Sequence, residues 1–328
     1  MFWKDKKVFV TGACGFIGSH LAEKLVTEGA SVKALVQYNS FNNWGWLDTS
    51  SQAKSMEIVA GDIRDHHQMT QLMRRCDYVF HLAALIAIPY SYQAPSCYVD
   101  TNISGTLNIL QAARAHSLQR VIHTSTSEVY GTAQYTPIDE KHPLQGQSPY
   151  SASKIGADML AESFFRSFEL PVVTVRPFNT YGPRQSARAF IPTIISQILS
   201  HQPEIHLGAL SPIRDLTFVT DTVCGFLKAA EAQGVEGETI NLGTGEGFSV
   251  GDVLDKIMTM TQCRSKITED TQRIRPEKSE VLKLISNNQK ALTRLGWKPS
   301  VTLDEGLKKT IEWFERNKQY YKPFQYNV

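Results

Sequence analysis

Apolar positions along the first 180 residues follow two alternating rhythms. Short β-branched runs at Val8–Val10, Val32–Val36, Met56–Val59, Tyr78–Leu82, Val121–Thr124 and Val172–Val175 read as buried strands. Between them, Phe16–Glu28, His67–Arg75, Ile103–His116 and Tyr150–Glu169 place their apolar residues at helical spacing. Strand and helix in alternation predict a parallel sheet covered on both faces. Such sheets bind ligands beyond the carboxyl ends of their strands. After Phe178 the rhythm changes. Helical patterns at Phe190–Leu199, Asp221–Ala232, Val250–Thr261 and Leu303–Asn317 are joined by a short strand-like piece, Ile205–Leu207. No linker rich in Pro, Ser or Gly separates the halves, and there is no internal repeat. The expectation is an α/β sheet domain over residues 1–178 and a smaller, discontinuous α/β lobe over 179–328, with parts of 214–245 returning to the sheet.

Composition narrows the function. The 328 residues carry 34 Lys and Arg against 32 Asp and Glu, a formal charge of +2, which makes no electrostatic case for binding nucleic acid or a membrane surface. Cys14, Cys76, Cys97, Cys224 and Cys263 are scattered, without a C-x-x-C pair, so neither a disulfide framework nor a metal site is expected. The longest apolar run in the middle of the chain, Leu82–Ile88, has seven residues, whereas a bilayer span needs about 18 to 20. Met1–Lys7 leads straight into a strand-like run rather than a signal-peptide core. A soluble, cytoplasmic chain is expected.

Gly12, Gly15 and Gly18 follow the first strand and open the first helix with the spacing G-x-x-G-x-x-G. Gly12 permits the tight turn, Gly15 lets backbone approach a pyrophosphate, and Gly18 allows close helix–sheet packing. The helix N-terminus then offers unpaired N–H groups to phosphate. After the second strand an acidic residue would hold a ribose 2′-hydroxyl and an Arg would accept a 2′-phosphate. Leu35–Ser40 contains neither, and Gln37 and Asn39 suit either ribose, which leaves NAD and NADP both open. Asp62 stands where an adenine amino group is reached, although a solvated turn with a cap at Asp65 explains that stretch equally well. His81-Leu82-Ala83-Ala84 closes the fourth strand with small residues, as a flat cofactor lying on backbone requires.

Tyr150 and Lys154 lie four residues apart, on one face of a predicted helix. A phenol with a pKa near 10 becomes a base at neutral pH only if the ammonium and a cationic cofactor ring favour the phenolate by about three units, or roughly 4 kcal/mol. A Tyr and a Lys at this spacing are otherwise an ordinary helix face. Taken in order, the glycine motif, His81–Ala84, Ser125-Thr126 and Tyr150/Lys154 resemble the extended short-chain dehydrogenases/reductases that act on nucleotide-diphosphate sugars. The likeness continues through Arg176–Pro183, Arg214-Asp215, Val219, Asp221 and Arg275-Pro276, essentially the whole chain.

This resemblance implies a Rossmann-type doubly wound sheet with a C-terminal substrate lobe, and NAD or NADP retained through the cycle. It implies cofactor contacts from Gly12, Gly15, Phe16, Ile17, Gly18, Gln37, Asn39, Asp62, Ile63, Leu82, Ala83, Ala84, Thr124, Tyr150, Lys154 and Pro177. Thr126, Asn179, Arg214, Arg275 and Glu280 are implied for the nucleotide sugar, the arginines because a guanidinium grips phosphate oxygens bidentately. Glu277 and Glu280 both remain open for the nucleoside ribose. Glu128 stands where 4,6-dehydratases of this kind keep the base that removes the C5 proton. Ser127 departs from the Asp-Glu pair of many dTDP-glucose dehydratases and is similar to the Ser-Glu of GDP-mannose dehydratases, which leaves Glu128 or Ser127 to protonate the departing C6 hydroxyl. The implied chemistry is oxidation at C4 by Tyr150, Lys154 and Thr126, loss of water across C5 and C6, and return of hydride to C6.

Tyr38–Asp48, with Trp44 and Trp46, resembles the matching segment of bacterial N-acetylglucosamine-nucleotide 4,6-dehydratases, implying UDP- or GDP-N-acetylglucosamine and leaving C5 inversion open. These aromatic side chains either lie across the cofactor or sugar or simply pack a loop. The competing readings are a nucleotide-sugar 4-epimerase, which Glu128 argues against, and a catalytically silent dinucleotide-binding regulator. The resemblance also implies a homodimer through a four-helix interface, with Leu107, Leu110, Leu160, Phe164 and Phe168 as its apolar residues.

Overall fold

The computed structural model describes residues 2–323 and 325–326. Its main sheet contains β1 (Lys7–Thr11), β2 (Ser31–Gln37), β3 (Met56–Gly61), β4 (Tyr78–His81), β5 (Arg120–Thr124), β6 (Val172–Pro177) and a seventh strand, Thr239–Leu242. All seven are parallel, and their spatial order is seventh, β6, β5, β4, β1, β2, β3. Val10 pairs with Ala34 on one side and Phe80 on the other, so the winding reverses between β1 and β4. A crevice opens there at the carboxyl ends.

The alternation of side chains in β1 splits the core into two layers. Val8 and Val10 join Leu21, Leu25 and Phe226 on one face, while Phe9 joins Ile109, Leu110, Val121 and Phe164 on the other. Leu110 and Phe164 therefore belong to the chain's own core, which corrects the expectation that they face a second subunit. Leu107 and Leu160 are half-buried, and Met159 and Phe168 are exposed.

Beyond β4 the chain does not run straight into the expected helix at Ile103. Pro89 and Pro95 open two short helices, Ile88–Gln93 and Pro95–Tyr98, because proline suits a first turn where no N–H partner is needed. A π-helical stretch, Val99–Ser104, then continues into Gly105–Ala115. After β6 the chain leaves the sheet, and Asn179–Tyr181 pairs in parallel with Leu216–Phe218. Ile213–Arg214 lies between Phe248–Ser249 and Lys283–Leu284 in a three-stranded sheet. Helix Val219–Glu231 then packs beside the first helix, and the seventh strand rejoins the main sheet beside β6. Among the described residues no helix is long and apolar enough to cross a membrane.

Candidate active site

At the end of β1, Gly12 has φ +69, and a Cβ there would lie 2.8 Å from the Ala83 nitrogen. A Cβ on Gly18 would meet the Gly12 carbonyl at 2.1 Å. Backbone thus replaces side chain at the turn. The following helix, α1 (Phe16–Thr27), has no capping side chain and no acidic residue in its first turn, so its positive end is left for an anion. The Thr11 hydroxyl accepts from the Leu82 and Ala83 N–H groups at 3.1 Å each, which holds the small-residue segment against that turn. The Thr124 hydroxyl is buried without a hydrogen-bond partner. This donor set, uncapped helix and orphaned hydroxyl fit a dinucleotide.

Other expected cofactor residues differ in their freedom. Phe16, Ile17 and Ala84 are half-buried, Ile63 and Pro177 are buried, and Gln37 is exposed at the end of β2. Asn39 is committed to its own loop: its Nδ2 donates to the Asn43 carbonyl at 2.7 Å, and its Oδ1 accepts from Phe41 N and Asn43 N. Asp62 is gripped by Arg64 at 2.9 Å, which holds its carboxyl below the usual range, while Asp65 caps the helix His66–Leu72. Trp46 packs edge-on against Trp313 and Tyr320 at 5.3 Å, joining the loop to the C-terminal helix.

The catalytic face begins with a capping box. Ser148 and Ser151 exchange hydrogen bonds at 3.0 and 3.1 Å, and Pro149 takes the first turn of helix Pro149–Phe168. Tyr150, Lys154 and Asp158 then recur every four residues, and all three are buried. Lys154 Nζ donates to the Thr124 carbonyl at 2.6 Å. Burial lowers the Lys154 ammonium to about 8, and the Asp158 carboxylate opposes that loss. Burial pushes the Tyr150 phenol up, and a hydrogen bond with Thr126 partly offsets it. The expected fall toward neutrality is thus absent from the protein alone: the phenolate is desolvated here, and the cationic ring invoked to favour it belongs to the cofactor. Tyr98, which sequence reasoning missed, packs edge-on against Tyr150 at 6.3 Å.

Asp158 collects donors from two strands. His123 Nε2 donates to its Oδ1 at 2.9 Å, and Ser125 Oγ, Arg176 Nε and Arg176 Nη2 donate to its Oδ2 at 2.6, 3.2 and 2.9 Å. Arg176 Nη1 continues to the Tyr130 hydroxyl at 3.0 Å, which donates to Asn241 at 2.7 Å. Asp158 was not foreseen, although the spacing that joins Tyr150 to Lys154 also reaches it. His81 lies beside this network. The Thr11 hydroxyl already accepts two N–H groups and donates to His81 Nδ1 at 2.8 Å, so Nε2 carries the proton that goes to Thr106 at 3.0 Å. Burial holds both His81 and His123 below the usual histidine range.

Glu128 sits in a tight turn, Ser127–Tyr130, capped by Thr126 through a 3.2 Å hydrogen bond from Glu128 N. Ser127 is buried and Glu128 half-buried, with its charge felt at both Tyr150 and Arg214. Arg214 Nη2 donates to Glu280 at 3.2 Å, and Arg275 Nη1 lies 3.7 Å from the same carboxylate oxygen. That Arg275 nitrogen is buried and makes no hydrogen bond, and neither does Asn179 Oδ1. Two guanidinium groups sharing one carboxylate leave positive charge for a diphosphate. Asp215 and Asp221 are structural: Asp215 accepts from Thr244, Gly245 and Ser286, and Asp221 from Ser300 and Val301. A strap over Glu277–Ser279 is tied down by Tyr92 to Ser279 at 2.6 Å and Gln147 to the Lys278 carbonyl at 3.1 Å. Among the described residues no group of three His, Cys, Asp or Glu side chains is placed to hold a metal.

The chain matches the family model described as GDP-mannose 4,6 dehydratase over residues 9–310. It is 31% identical over 324 residues to the dTDP-D-glucose 4,6-dehydratase of Homo sapiens, covering 95% of this chain and 91% of that protein. In three dimensions it is similar to the epimerase Mth375 of Methanothermobacter thermautotrophicus, with TM-score 0.89, 30% identity, and coverage of 97% and 95%. It is also similar to DesIV, a dTDP-glucose 4,6-dehydratase of Streptomyces venezuelae solved with NAD bound, with TM-score 0.88, 28% identity, and coverage of 97% and 100%.

Proposed function

This chain belongs to the GDP-mannose 4,6 dehydratase family of nucleotide-sugar dehydratases and epimerases, and within it we propose that the protein is a 4,6-dehydratase. Its cofactor is of the NAD type. The observation that carries the dehydratase reading is Glu128. Tyr150 is the one base that C4 oxidation needs, and the turn capped by Thr126 supplies a second base, the Glu128 carboxylate, within electrostatic reach of it. An epimerase has no use for a second base. The likeness to Mth375 favours the epimerase alternative, and the two readings separate at Glu128.

The glycine turn, the uncapped start of α1 and Lys154 hold the dinucleotide, which when bound supplies a hydride acceptor and donor. Tyr150 takes the proton of the C4 hydroxyl while Thr126 orients that oxygen. Once C4 is a ketone, the C5 hydrogen is acidic, and Glu128 removes it as the C6 hydroxyl departs. Protonated Glu128, or Ser127 as a relay, delivers the proton that makes the leaving group water. With the hydride lost at C4 restored at C6 and a proton restored at C5, the sugar ends one water lighter, as a 4-keto-6-deoxy sugar, with no net oxidation. General base assistance of this kind contributes about 10² to 10⁴ in rate. Arg214, Arg275 and Asn179 bind the diphosphate, Glu280 or Glu277 the nucleoside ribose, with residues 179–328 as the substrate lobe. The proposed substrates are UDP- and GDP-N-acetylglucosamine, with or without C5 inversion. A homodimer is proposed through the exposed edge of the Gly105–Ala115 and Pro149–Phe168 helices, where Leu107, Leu160 and Phe168 remain available; light scattering that finds only monomer at micromolar concentration removes it.

Mass spectrometry of incubations with each sugar nucleotide tests the reading. A product lighter by one water supports it. Conversion to an isomer of unchanged mass overturns it in favour of the epimerase.

A further inference from the structure

Three consecutive residues at the end of β5 are stitched to one face of the Tyr150 helix. His123 donates to Asp158, Thr124 accepts from Lys154, and Ser125 donates to Asp158. Thr126, the next residue, acts on the Tyr150 phenol and opposes the effect of its burial. We propose that Asp158 is a positioning residue for the Tyr150–Lys154 pair, its buried carboxylate holding the Lys154 ammonium charged and the helix in register with Thr126.

Charge accounting explains why a carboxylate is placed here. Asp158, one turn along the same helix face, acts on the Lys154 ammonium through its charge, and His81 of β4 and His123 of β5 lie within electrostatic reach of it. Both histidines are neutral, held there by burial. Arg176 is already paired with Asp158 and lies 5.0 Å over the Tyr130 ring. Asp158 is thus the negative charge in this group that offsets desolvation of Lys154, and burial otherwise favours the neutral amine. An uncharged Lys154 gives Tyr150 no help as a base. A carboxylate that served only as the partner of Arg176 would leave the proton on Lys154 unaffected.

The inference rests on the reading that Tyr150 and Lys154 carry C4 oxidation, but its test uses no sugar. In the NAD-loaded full chain, carbon-13-labelled lysine reports the titration of Lys154 at Cε, the resonance being identified by its loss in Lys154→Met. Asp158→Asn is expected to lower that midpoint by half a pH unit or more, about a threefold loss of proton affinity. Asp158→Asn leaves Arg176 buried without its partner, so the paired variant Asp158→Asn/Arg176→Gln is measured beside it and is expected to show the same shift. Arg176→Gln alone lowers the melting temperature but leaves the carboxylate, and its Lys154 midpoint does not fall. An unchanged midpoint in either Asn-bearing variant overturns the proposal, as does an equal fall in Arg176→Gln. If neither Asn-bearing variant folds, Asp158 is a structural group and the proposal also fails. Because no sugar is present, the midpoint stays readable whichever product the mass measurement finds.

Discussion

Beneath Tyr150, the Asp158 carboxylate accepts four hydrogen bonds, and the cation nearest to it, Arg176, is itself held by Tyr130. On the nucleotide side, Arg214 and Arg275 share the single carboxylate of Glu280, and a buried Arg275 nitrogen has no hydrogen bond. In the first region the carboxylate is fully hydrogen-bonded within the fold. In the second a buried guanidinium nitrogen is left without a hydrogen bond. Buried groups that must keep one geometry through a proton transfer are satisfied in advance, since an unpaired buried charge is costly. Groups meant to grip an anion remain incomplete until it arrives. Glu128 belongs to both regions, its charge acting on Tyr150 and on Arg214.

The sharpest way to break the first region is Tyr150→Phe, which keeps the ring and deletes the base. C4 oxidation is expected to fall by about 10⁴-fold, with no reduced nicotinamide seen in a single turnover. On the arginine side, Arg275→Gln is expected to raise KM by about 10- to 100-fold, the worth of one charge-assisted hydrogen bond, while kcat changes little. Steady-state kinetics distinguish the two patterns. A kcat loss without a KM change in Arg275→Gln would place that residue in the chemistry rather than in binding.

What was legible in the sequence follows the reach of each contact. Gly12, Gly15, Gly18, Tyr150 and Lys154 announce themselves because turn geometry and helical spacing are local rules. Thr126 and Glu128 were legible through family resemblance, and the turn that joins them is again local. Asp158 lies one helical turn past Lys154, yet its partners come from two other elements, His123 and Ser125 from the end of β5 and Arg176 from β6, and no spacing rule connects them to it. The same holds for Arg214 with Glu280 and for Tyr92 with Ser279, which meet only after the C-terminal segments fold back over the sheet. Asn39 shows the opposite failure. Its position at the end of β2 suggested a ribose ligand, but its amide closes its own loop. Leu110 and Phe164 were apolar at helical spacing, and periodicity alone does not say whether an apolar face meets its own core or another subunit.

A milder probe of the Asp158 region is pH. His81 and His123 are lowered in the folded state by burial. Such groups contribute stability above the unfolded histidine range, and lose it as pH falls because only the unfolded chain then takes the proton. Between pH 6.5 and 5.5 the loss is about 1 kcal/mol for each histidine that stays neutral. Urea midpoints across that interval measure it, and His81→Gln flattens the slope. Asp158, held at about 2 in the fold mainly by its hydrogen bond from His123 and the charge of Arg176 against the cost of burial, adds a second loss only below about pH 4. A slope unchanged by His81→Gln would show that this histidine is not buried in its neutral form.

The smallest effect is expected at the strap. Tyr92→Phe removes the hydrogen bond to Ser279, worth about 1 kcal/mol, and is expected to raise KM by about fivefold without altering kcat. A change in kcat instead would tie the strap to the chemical step.

Glu128→Gln tests the central claim, that Glu128 is the base that removes the C5 proton, most directly. The variant keeps the shape of the turn capped by Thr126 and removes only the second base. In a single turnover with the sugar nucleotide in deuterated water, C4 oxidation survives and reduced nicotinamide accumulates, because hydride has no acceptor at C6. Loss of water slows by about two to four powers of ten, and deuterium no longer enters C5 at the parent rate. Dehydration and C5 exchange at the parent rate in Glu128→Gln would contradict the assignment of Glu128 as the C5 base.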